Sequence, residues 1–303
     1  MKFLRNLPMA AGGFSAAFAA LGNLLASYGD MIRYICGILS ASMLFMFMLK
    51  LIFDWENVKK ELKTPGVLSV FPTTTIAVIL LCPYLKPFWG MISVYIWYGA
   101  VIAHLYIMAL FIKLFVIDEF KLQNIFPGWF VVSTGIVAAS GNSGAMGTEA
   151  VGRILFYLGF LLSLATAILV IYRMLKLALP EPLRPTIAIF NAPAGLIIVG
   201  HFSAFELRNT FLIYAMLVLA LAAYIYVCFH MVSILKLKFY PTYTALTFPF
   251  VISAAGFRVA NAFLVESGIY FFGFVPLVAQ WIAVFMVIYV SLRYIIFLAP
   301  KKE

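Results

Sequence analysis

The chain has 303 residues, of which 65% are hydrophobic and 11% charged, with a formal net charge of +10 and a mean hydropathy of +1.07. A soluble domain carries about 45–50% apolar and about 25% charged residues. No soluble core of this length could hide so much apolar surface, but lipid can, so the composition excludes an ordinary soluble globular protein.

A hydrocarbon core about 30 Å thick needs about 20 apolar residues per helix. Breaking the chain at its charged and turn-rich stretches predicts ten spans: residues 8–27, 31–53, 67–83, 88–117, 127–141, 150–178, 185–205, 210–234, 241–264 and 269–299. The chain reads as one transmembrane domain, 1–303, and its first apolar run leads straight into further spans without an evident leader-cleavage site. Cytoplasmic ends of membrane proteins are enriched in Lys and Arg. With the N-terminus inside, 16 of the 21 Lys and Arg fall on the cytoplasmic side and four (Arg33, Lys86, Arg153, Arg208) on the other, with Arg258 inside a helix. Both termini are therefore expected in the cytoplasm. The basic excess is topological, and no nucleic-acid partner is expected.

Prolines recur at Pro8, Pro65, Pro127, Pro185 and Pro241, each near the start of an odd-numbered span. Alone these could be helix starters, since proline is comfortable in a first turn. A second set follows seven or eight residues later: Pro72, Pro193 and Pro249, with Gly135 at that offset in the fifth span and Ser15-Ala16-Ala17 in the first. A proline inside a helix removes a hydrogen bond and bends it. The recurrence implies one hairpin used five times, with boundaries near 1–60, 61–122, 123–180, 181–236 and 237–303. A two-helix unit restores its orientation, so the copies are parallel and related by an axis along the membrane normal. The predicted architecture is an all-α membrane protein with an inner ring of five odd helices around a pore. The odd spans are rich in small and hydroxyl residues, which suits pore lining; small residues also allow close packing.

All eleven acidic residues fall in separators or at span ends. Intramembrane carboxylates mark proton and cation pathways, so their absence favours an anion. Arg258 reads either as an anion-attracting group, as a partner of Glu206 or Glu266, or as a snorkelling side chain. His104 and His230 read as packing residues, and His201 stands near a span end. Three scattered histidines with Cys36, Cys82 and Cys228 give no metal spacing, and no catalytic motif appears. Neither an enzyme activity nor a cofactor is expected.

Leu7-Pro8 with Ala19-Ala20-Leu21, Phe71-Pro72-Thr73-Thr74, Phe126-Pro127-Gly128-Trp129-Phe130, Arg184-Pro185-Thr186 with Ala192-Pro193-Ala194, and Thr247-Phe248-Pro249 occur in this order along the chain. In order and spacing the chain resembles the tellurite-resistance/dicarboxylate transporter family, which includes the slow anion channels of plant guard cells. The resemblance implies a homotrimer in the bacterial inner membrane, each protomer with its own five-helix pore. It also implies a phenylalanine plug at the bend of the ninth span, here Phe248. By repeat equivalence Ser15, Phe71, Thr134 and Ala192 stand at the same depth, and Thr74, Asn191, Thr244 and Ile252 complete the expected lining. The first span departs from the family in lacking a mid-helix proline. The expected function is a passive channel for small anions such as chloride or nitrate. The rival reading is a secondary transporter of C4-dicarboxylate, sulfite or tellurite-type oxyanions.

Overall fold

The computed structural model describes residues 7–299; Lys2, Arg5, Lys301, Lys302 and Glu303, counted in the charge distribution above, lie outside them. Among the described residues every regular element is helical. Helices satisfy their backbone groups internally, which lipid demands. Eight of them are long and apolar enough to cross a membrane: Asp30–Phe53, Pro65–Trp89, Met91–Asp118, Glu149–Lys176, Glu181–Ala204, Thr210–Ile234, Pro241–Glu266 and Phe274–Leu298. The first predicted span is the shorter helix Met9–Leu24, and the fifth is broken into Trp129–Ser133 and Val137–Met146. Both are almost wholly buried in protein, so neither needs the length that lipid contact would impose.

We number the α-helices in chain order. Five are inner: α1 (Gly12–Leu24), α5 (Thr73–Trp89), α8 (Val137–Met146), α10 (Ala192–Ala204) and α12 (Phe248–Glu266). Five are outer: α2 (Asp30–Phe53), α6 (Met91–Ile112), α9 (Glu149–Lys176), α11 (Thr210–Ile234) and α13 (Phe274–Leu298). The short helices α3 (Trp55–Glu61), α4 (Pro65–Val70) and α7 (Trp129–Ser133) lie between them. Helix α3 forms within a stretch that the sequence marks only as a polar separator.

Helix α1 packs on α5, α5 on α8, α8 on α10, α10 on α12, and α12 on α1. Each outer helix packs on the inner helix that precedes it in the chain. The outer helices present large apolar side chains outward, among them Ile38, Ile102, Ile168, Phe229 and Ile296. Small residues let the inner helices meet closely. A Cβ on Gly195 would lie 2.8 Å from Ile252 O, and one on Gly256 would lie 2.8 Å from Gly195 Cα. The turn from α5 to α6 is the single residue Gly90, whose φ of +51° favours glycine.

The starts of the inner helices and the ends of the outer ones share one end of the bundle. Tyr294, late in α13, donates its hydroxyl to Pro241 O at 2.6 Å. Lys50, late in α2, donates to Leu7 O at the same distance.

Candidate functional site

Every inner helix is preceded by a short separate stretch: 3-10 turns at Met9–Ala11, Glu181–Asn191 and Pro241–Leu246, and the α-helices α4 and α7, each set off by a break. Four of these junctions fall where the second proline register predicts, at Phe71-Pro72, Thr134–Ile136, Asn191-Ala192 and Thr247-Phe248. The fifth does not. The winding changes at Ala11-Gly12, and Ser15 lies inside an unbroken helix. Pro193 and Pro249 also sit in the first turn of a new α-helix, not in the middle of a bent one. Proline at that position forfeits no helical hydrogen bond, so a change of winding takes the place of the expected kink.

Breaking a helix frees carbonyls, and a buried carbonyl needs a donor. Thr73, Thr74 and Thr75 return their hydroxyls to Val70 O, Phe71 O and Pro72 O, each at 2.8 Å. Thr186, Thr244 and Thr247 do the same for Leu183 O, Pro241 O and Thr244 O. At the fifth-span break, the N–H groups of Thr134 and Gly135 both donate to Phe130 O. Much of the hydroxyl content of the odd spans therefore satisfies backbone at the junctions.

The junctions surround a cavity of about 510 Å³ that runs in from the end where the inner helices begin. All five inner segments contribute to its wall, among them Gly13, Ile76, Thr134, Leu196 and Phe248. Phe248 is the first residue of α12 and is 7% exposed. Before it, Thr247 has φ −104° and ψ −84°, outside the helical basin, so the chain turns sharply at the point that places the ring.

Of the predicted lining residues, Thr134, Ala192, Thr244 and Phe248 stand on this wall, with Gly135, Pro193 and Pro249 from the predicted bends. The other five lie elsewhere. Ser15 is bonded to Ser40 on α2. Phe71 is half-buried with its ring 6.3 Å from that of Phe47. Thr74 serves Phe71 O, as above. Asn191 is buried with both side-chain polar atoms unpartnered, and Ile252 is buried where α10 meets α12. The remaining predicted bend residue, Pro72, is buried away from the cavity. Thr134 is on the wall, and its hydroxyl is buried without a partner.

Among the described residues two charged side chains line the cavity, Lys50 and Glu61, and the sequence singles out neither. Lys50 is 1% exposed, and its Nζ lies 3.8 Å from a carboxylate oxygen of Glu61, which is itself partly exposed. The signal was its place before Leu51-Ile52-Phe53, inside the apolar run rather than beyond it. Arg258 lies toward the other end of α12. It donates to Leu24 O and, at 3.3 Å, to Asn23 O, so carbonyls at the end of α1 receive its hydrogen bonds instead of Glu206 or Glu266. His104 pairs with the Thr75 hydroxyl at 2.8 Å, His201 accepts the Asn209 N–H at 3.0 Å, and His230 lies against the Tyr226 ring.

No characterised protein matches the chain in a sequence search. The sequence profile of the SLAC1 family, described as voltage-dependent anion channel, matches residues 6–295. That range reaches every helix described above, ending inside the last turn of α13, and agrees with the family resemblance carried by the proline motifs. With its apolar helices, it makes the chain a multi-pass membrane protein whose natural partners are lipid and small anions. The chain belongs to the SLAC1 family of voltage-dependent anion channels, and with them to the anion-transporting membrane proteins.

Proposed function

We propose that the chain is a channel for small inorganic anions, chloride or nitrate among them, and that Phe248 closes it. The observation that carries this reading is the cavity, walled by all five inner segments, with Phe248 among its lining residues. On this reading the closed cycle of inner helices is a pore ring built from five parallel hairpins, near 1–60, 61–122, 123–180, 181–236 and 237–303. An anion enters past Lys50, meets threonine hydroxyls and mainly apolar walls, and stops at the aromatic ring. Hydroxyl groups bind a monovalent anion weakly enough to let it leave, and a bulky apolar constriction blocks by size and by dewetting. The protein performs no chemistry on its anion, so it is neither an enzyme nor a cofactor protein. The positive-inside bias puts both termini and the cavity mouth in the cytoplasm. The family resemblance supports a homotrimer in a bacterial inner membrane.

The test is electrical. Purified protein in planar bilayers, under a chloride gradient and with no pH gradient, carries an anion-selective current once the constriction is open. Electrically silent, proton-driven uptake of a dicarboxylate or sulfite would overturn the channel reading in favour of a carrier.

A further inference from the structure

Arg33, Lys86, Arg153, Arg208 and Arg258 are the basic residues set against the positive-inside bias, and they gather at the end of the bundle opposite the cavity mouth. Their hydrogen bonds have a common target. Arg258 donates to Leu24 O, the last residue of α1. Lys86 donates to Ala145 O in the last turn of α8 at 2.6 Å. Arg153 reaches Ala204 O, the last residue of α10, at 3.4 Å, and Arg208 donates to Phe202 O and Phe205 O around the same terminus. Helix α5 carries Lys86 in its own last turn. Arg33 holds the Asn23 side chain at 3.4 Å, beside the carbonyls that Arg258 takes.

The last four carbonyls of a helix have no intrahelical donor, and a helix C-terminus behaves as about half a negative charge. The inner helices end together at this end of the bundle, so bare carbonyls there would repel an anion. Four acids share this end: Asp30, Glu149, Glu206 and Glu266. Asp30 and Glu149 begin the outer helices α2 and α9, where a carboxylate suits the helix N-terminus. Cations thus stand at the ends of α1, α5, α8 and α10 and these two acids at outer-helix starts, while Glu206 follows α10 and Glu266 closes α12, whose last turn carries no cation.

We propose that Lys86, Arg153, Arg208 and Arg258 form a basic collar at the end of the bundle opposite the cavity mouth, which offsets the dipoles of α1, α5, α8 and α10 and concentrates small inorganic anions there. The role in permeation rests on the channel reading; the collar's field does not.

The field is read with single cysteines at Ser27 and Leu207, both exposed, in full-length protein with Cys36, Cys82 and Cys228 replaced by alanine. Anionic and cationic methanethiosulfonate reagents are compared on each thiol, with a free thiol as reference. The collar predicts faster reaction with the anionic reagent. Arg258→Gln at the first thiol and Arg153→Gln at the second lower that preference by about threefold at low salt, and Arg→Lys restores it. Arg153 is exposed, so its variant keeps the test intact even if Arg258→Gln disturbs folding. Rates that ignore both glutamine variants overturn the collar. Biased rates in a protein whose Phe248→Ala form carries no anion current keep the collar and sink the channel reading. Shifted rates with Phe248→Ala current unchanged by Arg153→Gln overturn the collar's part in permeation.

Discussion

Ser15 and Ser40 exchange hydrogen bonds across the α1–α2 contact: Ser15 Oγ donates to Ser40 O at 2.9 Å, and Ser40 Oγ donates to Ser15 O at 2.7 Å. The two hydroxyls are also 3.1 Å apart, and both side chains are fully buried. Such interhelical bonds contribute about 0.6 kcal/mol each on average in membrane proteins. Ser15→Ala is expected to lower the thermal midpoint slightly and leave anion permeation unchanged. Measured with Ser40→Ala, the double variant loses less than the sum of the singles, because the two act as one unit. A change of anion selectivity in Ser15→Ala would return this residue to the permeation path.

Gly135 cannot carry a side chain where it stands. A Cβ there would lie 2.1 Å from Val131 O, 2.8 Å from Ile76 Cδ1 and 3.1 Å from His104 Cε1. Gly135→Ala is expected to cost about 2 kcal/mol or more, seen as lost thermal stability in detergent. Gly66 also lines the cavity, but a Cβ there meets only Phe126 Cζ, at 3.8 Å. Gly66→Ala should keep wild-type stability. Equal tolerance at both positions would refute the tight break in the fifth span.

Thr134 and Thr74 separate conduction from folding. Thr134 lines the cavity and its buried hydroxyl has no hydrogen-bond partner to satisfy, whereas that of Thr74 is bound to Phe71 O. In a conducting background Thr134→Val should reduce anion current, and Thr74→Val should reduce thermal stability while sparing current. The reverse pattern would show that the wrong hydroxyl has been placed in the path.

Lys50 puts a buried cation on the cavity wall, and Glu61 partly offsets it. Lys50→Met is expected to lower anion current by about tenfold, the effect of about 1.4 kcal/mol on entry. Glu61→Gln removes the opposing charge and should raise it, most at low ionic strength where screening is weak. Because Lys50 also ties α2 to Leu7 O, Lys50→Arg serves as the folding control. Currents unmoved by either neutral variant would place the mouth elsewhere.

The proline register located four of the five junctions because proline and glycine act locally, through a missing N–H or a missing Cβ. It failed at Ser15, where a run of small residues fits an unbroken helix as well as a break. Thr74 fits polar lining in the sequence, yet a threonine can turn its hydroxyl back to a carbonyl three residues earlier, and the carbonyl of Phe71 beside the break takes it. Lys50 was counted as an end charge because sequence gives no depth within a span; only the packing of Leu7 over it shows that it is buried. The same holds for Arg258, whose partners at Asn23 and Leu24 lie more than 230 residues away in the chain. The short first and fifth spans were legible as apolar, but their shielding from lipid depends on all the other helices.

The central claim is that the Phe248 ring on the cavity wall holds the path shut. The most direct measurement is single-channel recording of purified protein in a planar bilayer, wild type beside Phe248→Ala, in symmetric chloride and then under a chloride gradient. Removing the ring should turn a closed or barely conducting protein into one with a large current that reverses near the chloride equilibrium potential. Phe248→Ala protein that folds like wild type and stays silent, or conducts without preferring anions, would contradict the account.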